Sequence, residues 1–185
     1  LVRQEKLIEA HAVASRGLER FPESTGGAEC QRILIDLERP SSSLITERVW
    51  NSSGPEIRLQ YKNLTEVHFR LLRYDFDILL RPENFYSLGR LNARQTNALL
   101  SQKPLKEWTE ILPPTNDYQL RTEILQPPSD LPPGFYCLLA SHDPNFQKKE
   151  ENQTQLAPLW VSDLALITED GNQQDRFSGF VLHAK

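Results

Sequence analysis

The chain has 185 residues and a formal net charge of −4, with 38% hydrophobic and 25% charged residues. A chain of this length can bury a sizeable core, and this composition is typical of folded globular proteins, which excludes intrinsic disorder. The mild negative charge argues against a nucleic-acid-binding protein, because such proteins usually carry a basic face. The sequence has no run of about 18 apolar residues, so we expect no membrane-spanning helix.

Two helices are predicted within residues 1–40. Apolar residues recur every three or four positions from Leu7 to Leu18, which is the spacing of one helix face, and His11 falls on that face. Pro22 ends the first helix, because proline disfavours helical geometry at the preceding residue. Ser24 or Thr25 can cap a second helix, which we expect to run to about position 39. Two helices joined by such a short turn form an antiparallel hairpin.

From about residue 44, the apolar residues change from the period of a helix to that of a strand. Alternating runs indicate strands with one face in a core and one in water, whereas segment 135–140 is apolar on both faces and predicts a central strand. The predicted strands cover 57–62, 67–71, 118–124, 135–140, 159–167 and 177–182. We therefore predict an antiparallel β-sandwich. Its predicted core residues are Leu59, Tyr61, Val67, Phe69, Leu71, Leu120, Ile124, Tyr136, Leu138 and Leu164.

The predicted fold class is α+β, with a helical hairpin at 1–40 followed by the sandwich at 44–168. Residues 81–100 carry apolar side chains at roughly helical spacing, which predicts a short helical insertion at the sandwich edge. The chain contains no methionine and begins at Leu1, so we expect it to be a piece of a longer protein. Residues 169–185 are then expected to start a following domain.

The sequence contains no motif for catalysis or metal binding. The histidines His11, His68, His142 and His183 lie at none of the spacings that metal ligands use, and no cysteine pair accompanies them. His142-Asp143 could pair with a serine, but the chain has no Gly-x-Ser-x-Gly elbow. We therefore expect a non-enzymatic protein with no metal, no cofactor and no catalytic residue, in which the histidines lie on the surface or are satisfied by neighbours.

Two further pairs of residues, one acidic and one of cysteines, carry chemically reactive groups. Asp75 and Asp77 are expected to share a strand face near the strand end, yet carboxylate catalysis needs a cleft, and the sequence signals none. Cys30 and Cys137 are expected in different layers of the fold. Because a disulfide needs Cα atoms within about 7 Å, we expect two free thiols.

Aromatic residues are the remaining candidates for a binding site. Trp50, Trp108, Phe85 and Tyr86 are candidate ligand or partner contacts, because exposed rings stack on sugars in carbohydrate-binding modules. The same residue types also fill sandwich cores. The exposure of these tryptophans, and of Trp160, distinguishes the two interpretations.

Four stretches of the sequence resemble parts of one known family. IRLQYKNLTEVHFRLLR at 57–73 resembles the opening sandwich of bacterial α2-macroglobulin-like proteins. LPPGFYCLLAS at 131–141 is similar to the start of a strand in that family, and the segment at 160–185 resembles the crossover into its next macroglobulin-type domain. GLERFPESTGGAEC at 17–30 resembles the tetratricopeptide-like helical pair that precedes the sandwich in some members. The resemblance covers nearly the whole chain.

The resemblance implies a scaffold and interaction fragment of a large extracytoplasmic protein, either secreted, periplasmic or surface-anchored, that traps or inhibits proteases. Its partners would be neighbouring macroglobulin-type domains, with proteases as partners of the whole molecule and no nucleic acid. The family's thioester sequence, Cys-Gly-Glu-Gln, is not in this chain. A carbohydrate- or peptide-binding sandwich module remains the alternative.

The segment 131–134 predicts a rigid entry into the strand that follows it, independently of the family resemblance. Paired prolines keep the chain extended, and Gly134 relieves the turn before the strand. Tyr136 can then donate a hydrogen bond back to the preceding loop, as in a tyrosine corner. These features predict a rigid sandwich.

Overall fold

A computed structural model describes residues 6–51, 55–79, 93–147, 152, 154–169 and 178–183. In chain order, the elements are α1 Leu7–Arg20, α2 Thr25–Glu38, β1 Ser41–Thr46, β2 Val49–Trp50, β3 Ile57–Lys62, β4 Glu66–Arg73, α3 Phe76–Leu79, α4 Ala93–Leu100, β5 Lys106–Ile111, β6 Arg121–Leu125, β7 Gly134–Ser141, β8 Gln155–Val161, β9 Leu164–Glu169 and β10 Ser178–His183. The predicted α+β class is confirmed, with a helical hairpin, a β-sandwich and helices inserted between β4 and β5.

The helical hairpin has the predicted capping residue. The Ser24 hydroxyl accepts a hydrogen bond from the Gly27 N–H at 3.0 Å, which satisfies one of the free donors at the start of α2. Gly27 also lies against the turn, because a Cβ atom there would stand 2.0 Å from the Phe21 carbonyl oxygen. The turn between the helices therefore requires glycine at this position.

The sandwich consists of two sheets. One has three antiparallel strands in the order β1-β3-β6, and the other has five in the order β2-β8-β7-β4-β5. All neighbouring strands run antiparallel except the short edge strand β2, which pairs parallel with β8. The predicted antiparallel sandwich is therefore confirmed, with one parallel pair at its edge.

The core between the two sheets contains seven of the predicted core residues. Leu59 and Tyr61 of β3 pack against residues of β4 and β7, and the Tyr61 hydroxyl donates to the Pro113 carbonyl at 2.9 Å. The confirmed core residues are Leu59, Tyr61, Val67, Phe69, Leu71, Tyr136 and Leu138. Strand alternation in the sequence correctly identified the faces of β3 and of the first part of β4.

The prediction of Leu120 and Ile124 as core residues is wrong, because both are exposed. Leu125 packs on the core in their place, since β6 pairs with β3 so that Leu125 lies opposite Ile57. Successive side chains of a strand point to opposite faces of the sheet. A shift of the pairing register by one residue therefore turns the other set of side chains into the core. The backbone pairing, which the sequence pattern does not reveal, decides this register.

Leu164 was also predicted in the core and is 60% exposed. The single strand predicted over 159–167 is two strands, because β8 ends at Val161 and β9 begins at Leu164. Ser162 stays attached to the sandwich, since its N–H donates to the Trp50 carbonyl at 2.9 Å. Beyond it, β9 pairs with β10 in a separate two-stranded sheet.

A second cluster of buried residues lies on the outer face of the five-stranded sheet. Phe135, Cys137 and Leu139 of β7 pack there with Leu99 of the inserted helix α4 and with Phe146. The interpretation of β7 as a central strand, apolar on both faces, is therefore confirmed. Helix α4, the described part of the predicted insertion, therefore packs on the outer face of this central strand and not at the sandwich edge, where it was expected.

Strand alternation predicts that His68 lies on the solvent-exposed face of β4, and this prediction is wrong. Its exposed fraction is 9%, because β4 is a central strand between β5 and β7. His68 Nδ1 bonds to the Thr109 hydroxyl at 2.9 Å across the strand pair. Next to it on this face, the Arg70 guanidinium lies 4.2 Å above the ring of Phe146. Polar residues on this face are covered by the loop that follows β7.

The helical hairpin is tied to one end of the sandwich by polar contacts. The Asn63 side-chain amide donates to the Leu37 carbonyl at 2.6 Å, so the β3–β4 turn holds the end of α2. His11 stacks on Tyr118 with ring centroids 4.9 Å apart, and its Nε2 bonds to the Glu38 carboxylate at 2.7 Å. The expectation that a neighbour satisfies His11 is confirmed.

Substituting Gly27 tests the packing of the helical turn. We expect Gly27→Ala to lower the free energy of unfolding by about 1–3 kcal/mol, because the added methyl group displaces the turn backbone. Gly26→Ala is the matched control, since its Cβ would meet no atom closer than the Ser24 hydroxyl at 3.7 Å. Denaturant unfolding, followed by the helical circular dichroism signal, measures both. Equal effects of the two substitutions would contradict this account of the turn.

Candidate functional site

The β9–β10 hairpin exposes apolar side chains on both of its faces. The register places Leu166 opposite Val181 on one face and Ile167 opposite Phe180 on the other. These four side chains are between 51% and 69% exposed. A strand pair that is apolar on both faces is typical of the buried part of a sheet. The hairpin is therefore a candidate interaction surface.

A cavity of about 510 Å³ opens at the end of the sandwich from which this hairpin leaves. Its walls are mainly rings and aliphatic groups, contributed by Trp50, Pro55, Pro127, Pro128, Leu131, Pro133 and Val161. Ser162 and Asp163, which lead directly into β9, also line it, as does Asp130 of the proline-rich loop. The cavity and the hairpin therefore share one end of the molecule.

The loop that forms one wall of the cavity has a fixed conformation. Asp130 adopts a φ of 60°, a region that aspartate and asparagine tolerate better than most residues. The Tyr136 hydroxyl donates to the Pro132 carbonyl at 2.7 Å, which confirms the hydrogen bond predicted from the sequence. The cavity wall is therefore held by the buried strand β7.

A polar cluster joins the two sheets at the edge where β1 meets β8. The Gln155 amide nitrogen donates to the Ser42 carbonyl at 2.6 Å and to the Ser42 hydroxyl at 2.7 Å, while its oxygen accepts from the Leu44 N–H. His142 Nε2 lies 2.9 Å from the same hydroxyl. Neither Ser42 nor Gln155 was singled out in the sequence, because a serine and a glutamine in separate strands form no motif.

The sequence allows a serine partner for His142-Asp143. In the structure this serine is Ser42, which contacts His142. The geometry of this contact is that of a clasp between the sheets, because Gln155 ties the Ser42 backbone as well as its hydroxyl. Asp143 is 9% exposed, and its N–H donates to the Ser141 hydroxyl at 3.0 Å. Gln155 ties the two sheets together through its bonds to the Ser42 carbonyl and to the Leu44 N–H.

The tryptophans do not share one exposed face. Trp50 is 2% exposed in the core, where its indole N–H donates to the Thr46 hydroxyl at 2.9 Å. Trp108 is half-buried and stacks on Phe69 at 5.0 Å. Trp160 lies on the opposite face of the sheet, against Phe76 and Phe135. The interpretation of Trp50 as a core residue is confirmed. A ligand or partner contact at Trp50 or Trp108 stays a prediction, and Phe85 and Tyr86 lie outside the described residues.

The acidic pair has a local structural role. The Asp75 carboxylate accepts from the Asp77 N–H at 3.0 Å, at the start of helix α3. The expectation that Asp75 and Asp77 share a strand face is therefore wrong, because the chain turns into a helix after Tyr74.

The two cysteines form no disulfide, as predicted. Cys30 lies in α2 beside Gly17 of α1, whereas Cys137 is buried in β7. Burial raises the pKa of the Cys137 thiol to about 12, so this thiol stays protonated and unreactive in the folded protein.

The described ranges show neither a metal site nor a membrane-spanning helix. Within them, no group of three or more histidine, cysteine, aspartate or glutamate side chains is arranged to hold a metal ion. The helices that the structure describes all lack the length and apolar character needed to cross a bilayer.

Removing the Gln155 side chain tests the clasp. We expect Gln155→Ala to lower the free energy of unfolding by about 1–3 kcal/mol, because partly buried backbone groups of Ser42 and Leu44 lose their partner. Gln119→Ala removes the same side chain at an exposed position and is expected to change stability by less than about 0.5 kcal/mol. Denaturant unfolding monitored by tryptophan fluorescence compares the two, and equal values would exclude a role for the clasp.

Comparison with known structures identifies the fold. A crystal structure of native α2-macroglobulin from Escherichia coli spanning domains MG0-NIE-MG1 matches with a TM-score of 0.51 at 15% identity. The match covers 78% of this chain and 45% of that chain, so the chain spans less than half of that structure. A second structure of the same protein, spanning NIE-MG1, matches with a TM-score of 0.49 at 15% identity over 80% of this chain and 71% of that one. Neither a family model nor a curated protein matches the sequence. The chain therefore has an α2-macroglobulin-like fold.

Proposed function

We propose that the chain is a non-catalytic scaffold and interaction unit of a larger, extracytoplasmic α2-macroglobulin-like protein that traps or inhibits proteases. The fold that it shares with the Escherichia coli α2-macroglobulin structure supports this proposal. So does the use of its polar clusters, since Ser42, His142 and Gln155 hold the two sheets together.

The β9–β10 hairpin is the observation that carries the proposal. A hairpin alone is at best marginally stable in water, and it needs further strands or a covering layer. Leaving a large apolar side chain exposed forgoes about 1.5–3 kcal/mol of burial free energy. Leu164, Leu166, Phe180 and Val181 are all at least 60% exposed. In our proposal these residues enter the core of a following macroglobulin-type domain.

The boundaries of the helical hairpin, the sandwich and the following domain follow from this proposal. In this proposal the helical hairpin occupies residues 1–40, and the sandwich begins with β1 at Ser41, slightly before the expected residue 44. The following domain begins at about residue 164 and not at 169, because β9 pairs with β10 and with no strand of the sandwich. Ser162 and Asp163 are then the link between two domains.

A rigid connection at Ser162 and Asp163 would suit a scaffold protein, because it fixes the direction of the next domain. The Tyr136 hydroxyl bond to the Pro132 carbonyl and the Ser162 N–H bond to the Trp50 carbonyl both fix the end of the sandwich next to the hairpin. A following domain would then take a defined direction from this one. The neighbouring domains are the direct partners of the chain in this proposal, and proteases are partners of the whole molecule.

The alternative of a carbohydrate-binding module receives less support. Such a module stacks sugars on exposed rings, and Trp50 and Trp108 both face the core between the sheets. Trp160 is 37% exposed but lies on the other face of its sheet, packed against Phe135. These rings do not form one platform.

Deleting residues 164–185 tests the boundary. We expect the free energy of unfolding of the remaining chain to change by less than about 1 kcal/mol, because the hairpin belongs to a separate sheet. The reference variant is Leu138→Ala, which should cost about 2–5 kcal/mol, since Leu138 is fully buried in the core. Denaturant unfolding measures both chains. A loss of several kcal/mol on deletion would show that the hairpin is part of the sandwich.

The size and activity of the natural protein test the function. We expect an antibody raised against this chain to detect a polypeptide much larger than 21.3 kDa in an extracytoplasmic fraction of its source. The purified protein should protect a large protein substrate from a protease while leaving cleavage of a small peptide substrate unchanged, because a trapped protease keeps its active site. A single polypeptide of about the size of this chain, or no protection, would overturn the proposal.

A further inference from the structure

The outer edge of strand β1 is bound by a side chain of the facing sheet. Among the described strands β1 pairs with β3 alone, so no described strand bonds to its other edge. On that edge the Gln155 side-chain nitrogen donates to the Ser42 carbonyl at 2.6 Å, and the side-chain oxygen accepts from the Leu44 N–H. One carboxamide thus bonds two backbone groups of β1 that lie two residues apart.

The two bonds of this carboxamide follow the pattern of a β-ladder. A carboxamide offers the N–H donor and the C=O acceptor that a peptide group offers. A residue in a parallel strand bonds in the same way, because its N–H donates to one position of the neighbouring strand and its C=O accepts from the position two residues further along. The Gln155 side chain therefore stands in for a strand residue opposite Ser43.

A cavity of about 560 Å³ adjoins this edge of the sandwich. Ser42 and Ser43 of β1 line it, together with Leu100 of helix α4 and with Thr154, which precedes β8. A volume of this size falls within the range of ligand-binding sites. The cavity therefore provides room for an extended segment beside β1.

Strand β8, which lies next to this edge of β1, is closed to strand addition by a proline. The Trp160 N–H donates to the Arg48 carbonyl at 2.8 Å, so the backbone of Trp160 faces the β2 side of β8. Pro158 lies two residues earlier and faces the same side, because alternate residues of a strand present their backbone groups in one direction. Proline has no N–H to donate, whereas β1 contains no proline. The edge of β1 is therefore the one that can bond fully to another strand.

We propose that the edge of β1 is a strand-addition site, at which an extended segment of a partner polypeptide pairs parallel to β1 and displaces the Gln155 carboxamide. Exposed strand edges bind peptides in this way, through main-chain hydrogen bonds. In the free chain the Gln155 side chain closes the edge, so the partner replaces both of its bonds. The backbone of the partner carries the recognition, which requires an extended segment with free N–H groups.

The experiment uses the isotopically labelled chain and the uncharged peptide acetyl-Thr-Val-Thr-Val-Thr-amide. Gln155→Ala should bind this peptide about tenfold more tightly than the unchanged chain does, because the competing carboxamide is gone. The largest NMR shifts should fall at residues 42–44. The same peptide methylated at its three central backbone nitrogens should not bind, because it lacks donors on both of its edges.

Two further variants separate the edge from the stability of the fold. Gln155→Leu keeps most of the bulk of the side chain without its amide, and it should show the same gain in affinity. Gln119→Ala is the matched control, because it removes the same side chain at an exposed position outside the cavity walls. It should leave the affinity for the peptide unaltered.

No gain in affinity with either Gln155 variant, shifts that map to another surface or equal binding of the methylated peptide would each overturn the proposal. Dimerisation of Gln155→Ala through β1, in place of peptide binding, would assign the edge to a second copy of the chain and would also overturn it. These results concern the edge of β1 alone. The scaffold proposal depends on the β9–β10 hairpin and has its own tests.

Discussion

The burial of strand β7 on both faces is the constraint on which the rest of the sandwich depends. Its residues alternate between two apolar clusters, with Leu138 facing the core between the sheets and Leu139 facing outward. Neither face can be left in water without losing the free energy of burying large side chains. The three-stranded sheet covers one face, and the segment inserted between β4 and β5 contributes Leu99 to the cover of the other.

The layers that cover the two sheets determine which polar side chains are buried and which backbone groups they bind. His68 and Arg70 lie on a face that strand alternation would leave in water, yet the loop after β7 contributes Phe146 above Arg70. At the edge of the three-stranded sheet, Gln155 of the facing sheet satisfies backbone groups of β1, which pairs only with β3 among the described strands. Unpaired edges are the vulnerable part of a sandwich, and here side chains of the facing sheet protect one of them.

The β9–β10 hairpin shows the same two-sided apolar character as β7, but nothing in the described chain covers it. Leu166 and Phe180 lie on opposite faces and are both more than 60% exposed. The contrast between the two elements within one chain supports the view that the hairpin belongs to a core completed elsewhere. The cavity at this end of the sandwich lies next to the point where a neighbouring domain would attach, since Ser162 and Asp163 line that cavity.

The pattern of residues predicts the helical hairpin, with Ser24 or Thr25 as the cap, the fold class, the inward face of β3 and the two-sided burial of β7, because these features depend on local periodicity and capping. Tertiary structure was needed to set the register of β6, which exposes Ile124, and the break between β8 and β9. It alone brought Ser42 to His142 and Asp130 to the end of the sandwich near Trp50. Pairing across sheets joins residues that are far apart in the chain, and no local pattern of residues records which strand lies opposite which.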